Sequence, residues 1–69
     1  MSNQSDYFLL LLESYAAHRQ KSGTEILKLF EENQLISYIY GMYEQYHIED
    51  MRNAFDDLDK KLGFEPIIL

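Results

Sequence analysis

The 69-residue sequence contains no cysteine, which excludes disulfide bonds and thiolate metal sites. Only His18 and His47 offer imidazole nitrogens, fewer than an all-histidine zinc site needs. His47, Glu49 and Asp50 look like a ligand cluster, but a histidine ending one helix and acids starting the next are both favoured by the helix dipole. We therefore expect no metal and no cofactor. The lack of cysteine also suits a cytoplasmic location.

Basic residues are scarce, with 6 Lys and Arg against 12 Asp and Glu and a net charge of −6. Proteins bind nucleic acids by neutralising phosphates with Lys and Arg, and this chain has the opposite charge balance. Anionic membranes would repel it for the same reason. We expect neither as a partner, whereas a basic protein surface would attract the chain.

Long hydrophobic runs are also missing. The longest near the N-terminus is residues 8–12, five residues against the roughly 20 that a membrane span needs. An acid, Asp6, precedes this run where a signal peptide would carry basic residues. We expect neither a signal peptide nor a membrane anchor.

Apolar residues recur with helical spacing, and no alternation typical of a strand is present. The pattern predicts an all-α fold, a compact bundle of about four short helices with an apolar C-terminal tail, in a single domain spanning 1–69. The predicted helices are 5–20, 23–32, 35–47 and 50–62.

Local signals support these boundaries. Ser5 or Asp6 is a suitable N-cap for the first helix, and Ser22 with Glu25 forms a capping-box pattern at the start of the second. Gly63 is the expected left-handed residue after the last helix. Gly41 costs about 1 kcal/mol inside the third helix, which a close helix crossing or a mild bend would explain.

The predicted core is taken from the apolar faces of the last three helices. We expect its members to be mostly buried: Phe30, Ile39, Tyr43, Phe55 and Leu58. The acids Asp56, Asp57 and Asp59 are assigned to the outer faces of the last helix, where they are solvated or steer a basic partner.

The first helix has apolar residues on a second side. Leu10 and Ala17 lie behind its main stripe, with Tyr7 and Ser14 beside them. Two arrangements would bury this side: the apolar tail folds back over it, or it meets a second copy or a foreign chain, which we favour because the core is small. The candidate partner-binding residues are Tyr7, Leu10, Ser14, Ala17, Asp56, Asp57, Phe64, Ile67 and Leu69.

An ordered set of residues resembles the small bacterial proteins classified as domain of unknown function 3791. The set spans nearly the whole chain and includes a Tyr-Glu-x-Tyr-His motif. Tyr46 stands where the family pattern has leucine, and Ile48 where it has threonine. The matching residues are Phe8 through Tyr15, Ser22-Gly23, Glu25, Leu29-Phe30, Tyr38-Ile39, Tyr43-Glu44, Tyr46-His47 and Asp57-Leu58-Asp59.

The resemblance implies a compact helical cytoplasmic protein without an assigned activity. Members are often encoded beside a small family that resembles ADP-ribosyltransferases, which suggests by analogy the antitoxin or accessory half of a pair. Together with the acidic composition, this favours a non-catalytic protein-binding module, antitoxin-like or regulatory. The alternative is a nucleic-acid-binding regulator that uses the helix pair around Asn33 and Gln34 as a helix-turn-helix. An enzyme is the least favoured interpretation.

Overall fold

The protein is all-helical over the residues that the computed structural model describes, which are 3–65 and 67. Five helices follow one another and pack around one hydrophobic core. They are α1 (Gln4–Arg19), α2 (Gly23–Glu32), α3 (Ile36–Gly41), α4 (Tyr43–Tyr46) and α5 (Met51–Leu62).

The ends of the helices follow local sequence signals. Ser22 and Glu25 form the predicted capping box, with Ser22 Oγ accepting from Glu25 N and Glu25 Oε1 accepting from Ser22 N, both at 3.1 Å. Gly63 ends α5 in the left-handed region at φ 75°. The N-cap of α1 was predicted wrongly: Asn3 caps it, because its Oδ1 accepts from Asp6 N at 2.9 Å.

The predicted third helix is wrong as a continuous element, because it divides at Met42 into α3 and α4. Met42 has φ −90° and ψ 4°, which interrupts the regular helix directly after Gly41. A close helix crossing does not explain that glycine, since nothing lies within 4 Å of the position its Cβ would occupy. The backbone does not require a glycine there either, because Gly41 does not have a positive φ.

The core is built on α1. Its stripe of Phe8, Leu11, Leu12 and Tyr15 is buried against Phe30 of α2. Within the predicted core, Phe30, Ile39 and Leu58 are buried, and Tyr43 and Phe55 are partly buried and packed against them. Both rings lie at the edge of the core, where each stacks on a histidine ring.

Candidate interaction surface

The side of α1 that faces away from the core is exposed and partly apolar. At about 100° per residue, positions 6, 9, 10, 13 and 17 share one face of a helix. Leu9 and Leu10 are each 56% exposed, and Ala17 is also exposed. We call this set the outer face of α1: Asp6, Leu9, Leu10, Glu13 and Ala17.

The two acidic residues of the outer face, Asp6 and Glu13, lie between its exposed apolar residues and near helix N-termini. Glu13 extends toward the start of α2, and its Oε1 lies 2.9 Å from the position that a Cβ on Gly23 would take. The N-terminus of a helix favours a negative charge, so α2 stabilises the Glu13 carboxylate there. Asp6 lies in the first turn of α1, where the same dipole effect applies.

Tyr7, predicted as part of the partner surface, is buried instead, with 8% exposure. Its ring packs edge-on against Tyr43 at 5.7 Å between centroids. Burial, followed by the negative charge of Glu49, raises the pKa of the Tyr7 hydroxyl. The segment that contains Tyr43 and Glu49 therefore lies against α1, one turn before Leu10.

Two aspartates of α5, predicted to face solvent, bind tyrosine hydroxyls instead. Asp57 is partly buried, and its Oδ2 accepts hydrogen bonds from Tyr38 at 2.5 Å and from Tyr46. Burial alone would raise the pKa of Asp57, but these hydrogen bonds and the charges of Lys61 and Lys60 outweigh it and lower the pKa. Asp57 thus connects α5 to both α3 and α4.

Asp59 is the clearest departure from the predicted solvated face, because it is only 1% exposed. Its Oδ1 accepts from the Tyr15 hydroxyl at 2.5 Å and lies 3.5 Å from Arg19 Nη1. Burial, followed by the hydrogen bond to Asp59, raises the pKa of Tyr15. Of the three acids of α5, only Asp56 is exposed as predicted.

The chain beyond α5 turns toward the C-terminal end of α1. Arg19 Nη1 donates to Glu65 O at 2.8 Å, and the Arg19 guanidinium lies 4.6 Å from the centre of the Phe64 ring. Phe64 is accordingly only half-exposed. Ile67 is 39% exposed, and Leu69 lies outside the described residues.

Ile67 borders a cleft of about 370 Å³ between the end of α1 and α5. His18 and Phe55 stack in it, with ring centroids 4.6 Å apart. The cleft places Ile67 and Asp56 together, but on another part of the molecule than the outer face of α1. Its lining residues are His18, Arg52, Phe55, Asp56 and Ile67.

The structure therefore divides the predicted partner-binding residues into separate locations. Leu10 and Ala17 lie on the outer face of α1, and the half-exposed Ser14 borders it. Asp56, Phe64 and Ile67 lie around the end of α1 and α5. Tyr7 packs in the interior, and Asp57 binds tyrosines at the edge of the interior.

The family model described as Protein of unknown function (DUF3791) matches residues 6–62. The chain belongs to the DUF3791 family. The matched region begins at Asp6 and ends at Leu62, so it contains the whole outer face of α1 and all of α5. No curated protein and no solved structure matches this DUF3791 chain.

Among residues 3–65 and 67, no helix is both long and apolar enough to cross a bilayer. The same residues contain no group of three or more His, Cys, Asp or Glu side chains arranged to hold a metal ion. His47 stacks on Tyr43 at 4.5 Å, and its Nδ1 lies 2.7 Å from Tyr43 O.

Sequence reasoning missed Leu9 as a surface residue. It lies about 100° from Phe8 on the helical wheel, outside the buried stripe, and shares a face with Glu13. Its position within an unbroken leucine run obscured that signal. The position of Leu9 beside Glu13 on the helical wheel indicates that this side of α1 faces solvent.

Proposed function

We propose that this DUF3791 protein is a non-catalytic protein-binding module, an antitoxin-like or regulatory partner of a neighbouring bacterial protein. The observation that carries the proposal is the outer face of α1. Leu9 and Leu10 are adjacent in sequence and each more than half exposed on a helix whose opposite side already forms the core.

Exposure of these leucines is costly for so small a protein. Burying a leucine side chain contributes about 1.5–3 kcal/mol relative to leaving it in water. A helix used only for folding normally has polar residues on the side away from the core. Clustered apolar residues on a surface are typical of a site where another protein binds.

The contacts of the ionisable side chains support a role other than catalysis. Asp57 and Asp59 accept hydrogen bonds from tyrosines and connect helices, so they stabilise the fold. The imidazoles of His18 and His47 stack on Phe55 and Tyr43 respectively. A catalytic base needs a positioned partner and access to substrate, and these groups have structural neighbours instead.

The antitoxin-like part of the proposal comes from the family resemblance, in which members are encoded beside proteins that resemble ADP-ribosyltransferases. Co-expression with the product of the adjacent gene tests it. We expect a complex that remains intact during size-exclusion chromatography and a lower activity or toxicity of the adjacent protein. Separate elution of the two proteins, with undiminished toxicity, would contradict the proposal.

A matched pair of variants tests whether the complex forms through the outer face of α1. Leu10→Glu places a charge in the middle of that face, whereas Ile48→Glu changes a residue that is 75% exposed elsewhere. We expect Leu10→Glu to disrupt the complex and Ile48→Glu to preserve it. Both should fold, because neither side chain is buried.

The alternative, a nucleic-acid-binding regulator, is tested by a gel shift with duplex DNA at low salt. Residues 33–35 separate α2 from α3, and the surface beside them includes Glu31 and Glu32. These acids would repel phosphates, so we expect no shifted band. Tight duplex binding would favour the alternative over the protein-binding module.

A further inference from the structure

We propose that the outer face of α1 binds a basic amphipathic helix of another protein. This inference rests on the proposed protein-binding function and specifies the surface and the chemistry of the partner.

The charge of the surface selects a basic partner. Asp6 and Glu13 lie on the same face as Leu9, Leu10 and Ala17, and no exposed residue of α1 is basic. Both acids belong to α1 itself, and both are exposed. Lysine or arginine on a partner would pair with these acids and accelerate association.

The basic residues near α1 do not neutralise this face. Arg19 is bound on the opposite side of the helix, where it contacts Asp59, Glu65 and the ring of Phe64. Lys21 follows the end of α1 and lies 6.0 Å from the centre of the same ring. The outer face therefore presents its apolar residues together with two acids that no basic residue of the same face neutralises.

A second copy of the chain fits this face poorly. A two-fold interface places the same patch on both sides, so Asp6 and Glu13 of one copy would meet the acids of the other. Like charges brought together at an interface disfavour binding, and no basic residue of the outer face offsets them. We therefore expect a monomer in solution in the absence of a partner.

The arrangement of the outer face suits another helix. Around α1, Glu13 and Asp6 lie between Leu9 on one side and Ala17 with Leu10 on the other, so apolar residues flank a central acidic strip along the helix. Ala17, with its small side chain, allows close approach at one end, and Leu9 and Leu10 supply the apolar anchors. A partner with leucines on one side and basic residues beside them complements both features.

The test is a titration of the full-length, ¹⁵N-labelled protein with two synthetic peptides, followed by NMR. One is an amphipathic helix of leucine and lysine, and the other replaces every lysine with glutamate. We expect the lysine peptide to shift the amides of residues 6–17 most strongly. The glutamate peptide should leave those amides unchanged.

Variants separate specific docking from general attraction to an acidic protein. Leu9→Ser and Leu10→Ser should each weaken binding by about tenfold, as expected for central apolar anchors, whereas Ile48→Ser should not. Asp6→Asn with Glu13→Gln should weaken binding and reduce its salt dependence. The matched control is Glu31→Gln with Glu32→Gln, which alters two exposed acids on α2.

Three results would overturn the inference: strongest shifts on α5 or around residues 30–37, equal binding of both peptides, or no shift at residues 6–17. A wild-type dimer in light scattering that Leu10→Ser dissociates would identify a second copy as the occupant and would also refute the inference.

The co-expression complex is a separate readout. A complex insensitive to outer-face variants preserves the proposed function while this inference fails, and absence of a complex removes the proposed function itself.

Discussion

At the scale of single residues, the buried carboxylate of Asp59 connects α5 to α1. Asp59→Ala removes the acceptor of the Tyr15 hydroxyl and the counter-ion of Arg19. We expect it to lower the free energy of unfolding by about 2–4 kcal/mol, because the Tyr15 hydroxyl loses its acceptor in a buried site and Arg19 loses its counter-ion. Urea denaturation followed by circular dichroism measures this change.

Asp56→Ala is the control for that variant, since Asp56 lies on the same helix but is exposed. It should change the free energy of unfolding by less than about 0.5 kcal/mol. Equal urea midpoints for the two variants would show that the Tyr15–Asp59–Arg19 contacts do not stabilise the fold.

Because Tyr38 and Tyr46 donate hydrogen bonds to the Asp57 carboxylate, we expect the stability of the protein to depend on pH in the acid range. The folded-state pKa of Asp57 lies below its ordinary value, so the stabilisation is present above the unfolded pKa of about 3.9 and is lost as the pH falls through the folded pKa. Asp57→Asn should therefore flatten the decline of Tm below about pH 4. Hydrogen bonds with Arg52 lower the pKa of Asp50 to about 2. Because wild type and Asp57→Asn both contain Asp50, its contribution cancels from the difference between them.

Thermal melts of wild type and Asp57→Asn across the acid range measure this difference. Parallel Tm curves would show that the Asp57 carboxylate titrates in the folded protein as it does in the unfolded chain. The same melts on Asp56→Asn give the background effect of removing one acidic charge from α5.

The sequence could not reveal these carboxylate contacts. Asp59 lies about 40° from Phe55 on the wheel of α5, at the border of the apolar stripe, where an acid is ordinarily solvated. Its partner Tyr15 is 44 positions away along the chain. A helical wheel records the face on which a residue lies but not which long-range partner meets it.

At the scale of elements, two glycines provide a matched test of local backbone preference. Gly41 is exposed at the end of α3, and its added Cβ would meet nothing within 4 Å. Gly41→Ala should therefore stabilise the protein by about 0.5–1 kcal/mol through helix propensity and reduced freedom of the unfolded chain.

Gly63 also has free space around its Cβ position, but its φ is 75°. Gly63→Ala should destabilise the protein by about 1 kcal/mol, because a left-handed conformation is strained for alanine. Thermal melts of the two variants should shift in opposite directions. Shifts of the same sign would show that backbone conformation does not control these positions.

The elements themselves were predictable where the signals were local. Ser22, Glu25 and Gly63 act within one helical turn, and both the capping box and the left-handed cap formed as predicted. The sequence suggested at most a mild bend near Gly41, and the division at Met42 carries no proline or capping side chain to mark it. Both halves contact the same residue of α5, because Tyr38 of α3 and Tyr46 of α4 each donate to Asp57.

At the scale of the whole molecule, one small core carries the stability of the fold. Phe30 is fully buried between Phe8 and Tyr15, so Phe30→Ala should cost about 3–5 kcal/mol, a large part of the stability of a domain this size. If Phe55 were fully buried, Phe55→Ala would cost as much. Because Phe55 is half-buried, we expect Phe55→Ala to lower the free energy of unfolding by about 2 kcal/mol. Denaturant melts that rank Phe55→Ala as the more damaging variant would place the centre of the core at α5.

The proposed binding surface depends on a division of α1 into a folding side and a binding side. Isothermal titration calorimetry against the product of the adjacent gene, with wild type, Leu10→Glu and Ile48→Glu, tests that division most directly. The account predicts that Leu10→Glu melts as wild type does yet binds at least about tenfold more weakly, whereas Ile48→Glu binds as wild type does. Equal affinities for all three proteins would contradict it.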